Sequence, residues 1–317
     1  MPVFGPVPSR RLGRSLGVNN IPPKHCTYSC VYCQVGRTPR HGVERREFLA
    51  PAEIAAEVIG RVRECREAGE PLDWVTFVPD GEPTLDVHLG EEIRAIRPHG
   101  VPVAVITNGS LLHREDVRED VAEANWVSVK VDAVDPRTFR KVDRPHPSLD
   151  AETVLGGIET FAASYRGTLV TETMLVRDVN DSREEAERIA AFLARVRPAV
   201  AYLAVPTRPP AEEWVEPPPE DRVLAAFEAF RERGLRVELL VGWEGGDVAI
   251  SGDPREDILA VTSVHPLRDD AVRELLAKAG RGPELLEQMV EAGEILAVEH
   301  GGHRFWVRRF PGIHGRS

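Results

Sequence analysis

The sequence predicts an α/β protein, with a partial (β/α)6-type barrel over residues 1–245 and a small winged-helix-like unit after it. Three observations lead there. Strand-like runs of unbroken apolar character alternate with helical stretches, the pattern of parallel βαβ units buried on both faces. No G-x-G-x-x-G opens a helix, so an open dinucleotide-binding sheet would lack its phosphate turn. Beyond a linker at 246–254, three short helices precede two strands joined through Gly301-Gly302, a hairpin signal that makes 255–317 read as a winged helix.

The elements follow in order. Residues 14–20 read as a first strand, stopped by Pro22-Pro23, and 51–65 as a helix with Ile54, Val58, Val62 and Cys65 on one apolar face. Strands are expected at 74–78, 101–106, 126–132, 168–176, 200–205 and 236–241. Helices fall at 111–124, after the Asp135-Pro136 start, and at 151–165, 182–196 and 220–234. The seven strands suit an incomplete barrel. The proline-rich stretch 206–219 is long for a connection and reads as a lid or a plain surface loop. In the C-terminal unit, helices are expected at 255–264, 269–279 and 283–292, with strands at 294–299 and 303–308.

One stretch organises the chemistry. Cys26-Thr27-Tyr28-Ser29-Cys30-Val31-Tyr32-Cys33 directly follows the first strand and spaces three thiols as C-x3-C-x2-C. Three cysteines are one short of a structural zinc shell or an all-cysteine cluster, so a metal position stays open for another ligand. The alternatives are free core cysteines, or zinc with His25 or a distant histidine as fourth ligand. Against the first stands the crowding of three thiols into one loop. Against the second stands the lack of a second C-x2-C knuckle. In a barrel of this kind the chemistry gathers where strands end. Asp80-Gly81-Glu82-Pro83 follows the second strand, and Thr107-Asn108-Gly109 the third.

The cysteine triplet, with Tyr32 before its last member, resembles the motif of the radical S-adenosylmethionine (SAM) superfamily. The resemblance implies a radical SAM barrel, with a [4Fe–4S] cluster on Cys26, Cys30 and Cys33 whose fourth iron chelates SAM. It implies that one electron cleaves SAM to a 5′-deoxyadenosyl radical, which takes hydrogen from a substrate. Tyr32 is then expected beside the adenine. Gly81-Glu82-Pro83 resembles the superfamily's Gly-Gly-Glu-Pro motif for the SAM amino group, with Asp80 in place of the first glycine. Lys130 lies mid-strand among valines, and a buried ammonium needs an anion. By resemblance that anion is the SAM carboxylate, with Ser128 or Asp132 on the ribose and with Asn108 and Asn180 as further contacts. The competing reading is an ion pair of Lys130 with Asp132 or Glu172.

Composition sets the surroundings. With 42% hydrophobic and 29% charged residues the chain can bury a sizeable core, and no apolar run approaches a membrane span. The clustered cysteines and the lack of a signal-peptide pattern lead us to expect a cytoplasmic protein. A net charge of -11 disfavours a nucleic-acid coat, yet basic edges remain. One includes Arg10, Arg11, Arg14, Lys24, Arg37, Arg40, Arg45 and Arg46; the other Arg304, Arg308, Arg309 and Arg316. Cys65 alone is left over, so a second cluster is not expected, and an external electron donor (flavodoxin or ferredoxin) is. The opening Phe4-to-Asn19 stretch, run into the cysteine loop, resembles stand-alone proteins grouped with wyosine-type tRNA-modifying enzymes, without their additional N-terminal cysteines. Three functions are therefore expected to compete: modification of RNA or tRNA, modification of a peptide or protein gripped by the winged helix, and a non-enzymatic cluster-bearing regulator.

Overall fold

Apolar strands pair edge to edge into one large sheet. The computed structural model describes residues 2–9, 11–240, 253–264 and 266–309. β1 (Val3–Ser9) and β2 (Gly13–Val18) run antiparallel, and the two-residue β3 (His25–Cys26) and β4 (Arg40–His41) pair inside the cysteine loop. The alternation continues through α1 (Pro51–Ala68), β5 (Trp74–Phe77), α2 (Leu89–Ile96), β6 (Val103–Thr107) and α3 (Glu115–Ala122). Next come β7 (Trp126–Lys130), α4 (Pro136–Val142), α5 (Ala151–Ser164) and β8 (Thr168–Met174). The series ends with α6 (Arg183–Val196), β9 (Ala201–Ala204), α7 (Glu220–Glu232) and β10 (Val237–Leu240). The sheet order is β1-β2-β5-β6-β7-β8-β9-β10, parallel from β2 onward. Its end strands do not pair with each other among the described residues, as befits a partial α/β barrel.

Strand register sorts the side chains. Ala104, Trp126, Val170 and Tyr202 share one face and pack with Leu12 and Val200. Phe77, Val105, Val127, Val129 and Leu203 face the other way, into the main core with the helices. α1 buries Ile54, Val58, Val62 and Cys65 and ends on Gly69 at φ 70, a left-handed cap favoured by glycine. Asp135, Asp150 and Ser182 cap α4, α5 and α6 through their side-chain oxygens.

The C-terminal elements are α8 (Pro254–Val264), β11 (Leu267–Arg268), α9 (Asp269–Lys278), α10 (Glu284–Glu291), β12 (Ile295–His300) and β13 (His303–Arg308). They bury their own core, including Ile258, Leu275, Leu286, Met289 and Trp306, against which Val7 of β1 also packs. Their antiparallel sheet has the order β11-β13-β12. Most of the expected linker (246–252), Arg10 and the tail with Arg316 lie outside the described residues.

Besides the two-residue β3 and β4, three elements go beyond the sequence reading. β1 forms despite Pro6 and Pro8, because an edge strand can forgo donors on its outer side. α2 fills the gap between the second and third parallel strands, burying Leu89, Ile93 and Ile96. β11 adds a third strand to the hairpin.

Candidate active site

The carboxyl ends of β2, β5, β6 and β7 deliver the cysteine loop, Gly81-Glu82-Pro83, Asn108 and Asp132 to one edge of the sheet. The cysteine loop is pinned there by its backbone. Val31 N–H donates to Val142 O at 2.9 Å, and His146 N–H to Thr27 O at 2.9 Å. Gly81 admits no side chain, since a Cβ would fall 1.8 Å from His25 O. That close approach seats the motif loop directly on the cysteine loop.

The three thiols have different neighbours. Asn108 Nδ2 lies 3.6 Å from Cys26 Sγ, and Cys30 Sγ lies 3.7 Å from Asp143 Oδ1. Lys24 Nζ lies 3.5 Å from Cys33 Sγ. Burial pushes the Cys26 thiol up to about 12, with Glu82 adding to it, and burial and Asp143 push Cys30 up as well. Among the described residues no three His, Cys, Asp or Glu side chains converge as ligands of a single ion. A cubane asks for something else, one thiolate per iron corner. Three soft donors in one loop, each facing its own surroundings, fit that group.

Glu82 is 1% exposed and joins two loops. Its Oε1 accepts from Thr84 N (3.1 Å), Thr84 Oγ1 (2.6 Å) and Thr107 Oγ1 (2.6 Å), and its Oε2 accepts from Asn108 N at 2.8 Å. Burial pushes its carboxyl up while those four donors oppose the shift. Asn108 then carries the chain of contacts to the cysteine loop by donating to Thr27 Oγ1 at 2.7 Å. Pro83 is buried and opens the short helical turn that Glu82 caps.

Along β7, Ser128 and Lys130 share the inner face, and Ser128 is 1% exposed. Lys130 Nζ donates to Glu172 Oε1 at 2.7 Å and lies 4.7 Å from the centre of the Tyr32 ring. Arg11 binds the other oxygen of Glu172. The ion-pair arrangement of Lys130 is therefore present. Burial opposes its charge, but Glu172 and Asp132 outweigh that and hold its pKa above the usual value. Asp132 accepts from Tyr32 Oη and from Met174 N, the latter at 2.6 Å. Burial pushes both Asp132 and its neighbour Asp143 up, and the closeness of Asp132 pushes Asp143 up further. Asn180 is 0% exposed and ties backbone to backbone, donating to Asp132 O and Met174 O, each at 2.8 Å, and accepting from Val176 N at 2.7 Å.

Two further neighbours escaped the sequence reading. Asp143 offers no local signal, since its place beside Cys30 depends on the turn after α4. Glu212 is the other. It accepts from Arg37 Nε at 2.9 Å and Arg144 Nη1 at 2.6 Å, while its N–H donates to Val31 O at 3.1 Å. The proline-rich 206–219 loop is thus strapped onto the cysteine loop.

A partial parallel α/β barrel with three thiols at its carboxyl edge defines a metal-cluster enzyme of the barrel class. The chain belongs to the Radical SAM superfamily, whose profile it matches over residues 20–193. It is an enzyme that uses the superfamily's [4Fe–4S] cluster and SAM. It is 42% identical to the UPF0026 protein MJ1312 of Methanocaldococcus jannaschii, over 96% of this chain and 95% of that one. A UPF0026 protein of Helicobacter pylori is 39% identical over 65% of this chain and 67% of its own. Among solved structures, a radical SAM methyltransferase from Sphaerobacter thermophilus shares the fold, with TM-score 0.53 and 20% identity over 73% of this chain and 67% of that one. Streptococcus suis SuiB bound to precursor peptide SuiA does too, with TM-score 0.52 and 11% identity over 70% of this chain and 48% of that one. Enzymes of this superfamily take their electron from an external reductant. Among the described residues no helix is long and apolar enough to cross a membrane.

Proposed function

We propose that Cys26, Cys30 and Cys33 hold the cluster, that SAM lies across the ends of β5 to β8, and that the substrate is a polypeptide brought in by the C-terminal unit. When bound, cluster and SAM together supply one-electron cleavage of SAM and hydrogen abstraction. The chain's own residues bind, orient and enclose. The backbone around Gly81 offers the SAM amino group a close approach, and Glu82 fixes that loop against Asn108. Lys130 draws the SAM carboxylate, Ser128 and Asp132 flank the ribose, and Tyr32 forms an aromatic wall. Asn180 acts by holding the backbone at Asp132. Apolar walls and the strapped 206–219 loop exclude water, so catalysis rests on positioning rather than on a protein base. The observation that carries this reading is the seating of Gly81 on His25 O, which puts the motif loop beside the cysteines. The electron is supplied by flavodoxin or ferredoxin.

The order helix, strand, helix, helix, hairpin supports reading 255–317 as winged-helix-like and 1–245 as the barrel. A polypeptide is favoured over RNA by how the basic residues are used. Arg45 meets Asp116 and Asp120, Arg37 and Arg144 meet Glu212, and Arg304 meets Glu299. Arginines neutralised within the chain release few counterions from a nucleic acid. β12 lies at the edge of its sheet, where an extended peptide can add as a strand. The test is SAM cleavage stimulated by fractions of cell extract. Protease treatment should abolish the stimulation and nuclease treatment should not; the reverse result would make RNA the substrate.

A further inference from the structure

Lys24 is among the largest side chains in the described structure to be buried almost completely, at 1% exposed. Its backbone sits at φ 63, a left-handed conformation that side-chain-bearing residues seldom adopt. Both features work against a lysine at this position. The ammonium donates to Gly36 O at 2.6 Å and to Cys33 Sγ at 3.5 Å. Among the described residues no carboxylate lies within ion-pairing distance of it. Burial pushes the carboxyl of Asp80, just beyond β5, up to about 8 although Lys24 opposes the shift, and neither oxygen of Asp80 has a hydrogen-bond partner. A buried ammonium without a paired anion is costly, and the contact that can acquire negative charge is the sulfur.

We propose that Lys24 tunes the cluster: its ammonium donates an N–H···S bond to the Cys33 thiolate and, through its charge, raises the cluster's reduction potential. The proposal rests on Cys33 being a cluster ligand. Hydrogen bonds to cluster sulfurs, net charge and burial are the levers that set such potentials. Reduction adds one electron from an external one-electron donor and breaks no bond at Lys24. A fixed cation at this distance in a water-poor loop favours the more negative, reduced state. Asp143, beside Cys30, lies at a different thiol, so the two groups influence different corners of the site.

The experiment is an anaerobic redox titration of the reconstituted full chain, followed by electron paramagnetic resonance, with iron content measured alongside. Lys24→Met should keep its iron and become harder to reduce by tenfold or more, about 59 mV for one electron. Lys24→Arg should recover most of the shift. A midpoint unchanged in Lys24→Met at full iron content overturns the proposal. If Lys24→Met does not fold, Lys24→Gln keeps a donor without the charge, and an unshifted midpoint there overturns it equally. Cys33→Ala separates the two claims. If it retains the wild-type cluster and midpoint, the ligand reading itself has failed; if it loses the cluster while Lys24→Met leaves the midpoint unmoved, only the Lys24 proposal has failed.

Discussion

Lys130 and Glu172 meet at 2.7 Å across two hydrogen-bonded parallel strands, at directly paired positions of β7 and β8. Arg11 binds the second carboxylate oxygen, so one carboxylate is shared by two cations. The pair leaves one ammonium at the strand ends, over the face of Tyr32.

Removing that ammonium should affect stability and ligand binding separately. Lys130→Met leaves a buried carboxylate with Arg11 alone, so urea unfolding should show a loss of about 3 kcal/mol, the lower end for a broken buried pair. Equilibrium dialysis should show SAM affinity falling at least about tenfold, roughly 1.4 kcal/mol. Glu172→Gln should cost stability but leave SAM affinity within a factor of about three, because the ammonium stays in place.

Glu92, on α2, gives the fold a pH dependence. It is 0% exposed, and burial, with Asp86 adding to it, pushes its carboxyl up to about 9. The folded chain therefore holds a proton that the unfolded chain releases. The stability this contributes is complete below the unfolded pKa and is lost as pH rises toward 9. Glu92→Gln should make the protein more stable than wild type at pH 8, by about 2 kcal/mol, and change it little at pH 4.5. Thermal melts of both proteins across that range check the sign.

The strap at Glu212 should guard the cysteine loop. Glu212→Ala removes acceptors from Arg37 and Arg144 together. Limited digestion with a glutamate-specific protease should then cut within 206–219, after Glu213, several-fold faster, and the reconstituted protein should lose iron faster in air. Glu212→Gln, which keeps one acceptor oxygen, should fall between the two.

The local signals in the sequence were strong where the chemistry is local. The C-x3-C-x2-C spacing, the Gly81-Glu82-Pro83 turn and the apolar face of α1 ending at Cys65 all depend on neighbours in sequence. The strand–helix alternation gave the parallel sheet because each unit repeats one pattern. β1 escaped because Gly5, Pro6 and Pro8 carry breaker signals that an edge strand tolerates. α2 escaped although Leu89, Ile93 and Ile96 fall at helical spacing, because it is short and carries a buried glutamate on its inner side. Asp143 beside Cys30 and Glu212 over the loop depend on long-range packing, and Lys24 on Cys33 depends on how an irregular loop folds back on itself, neither of which spacing encodes.

Iron and SAM cleavage in one pair of proteins test the central claim most directly. Reconstituted anaerobically with iron and sulfide, the wild-type chain should hold about four irons. With SAM and dithionite it should release 5′-deoxyadenosine. Cys30→Ala should do neither. A Cys30→Ala protein that still binds the same iron and still makes 5′-deoxyadenosine would contradict the account.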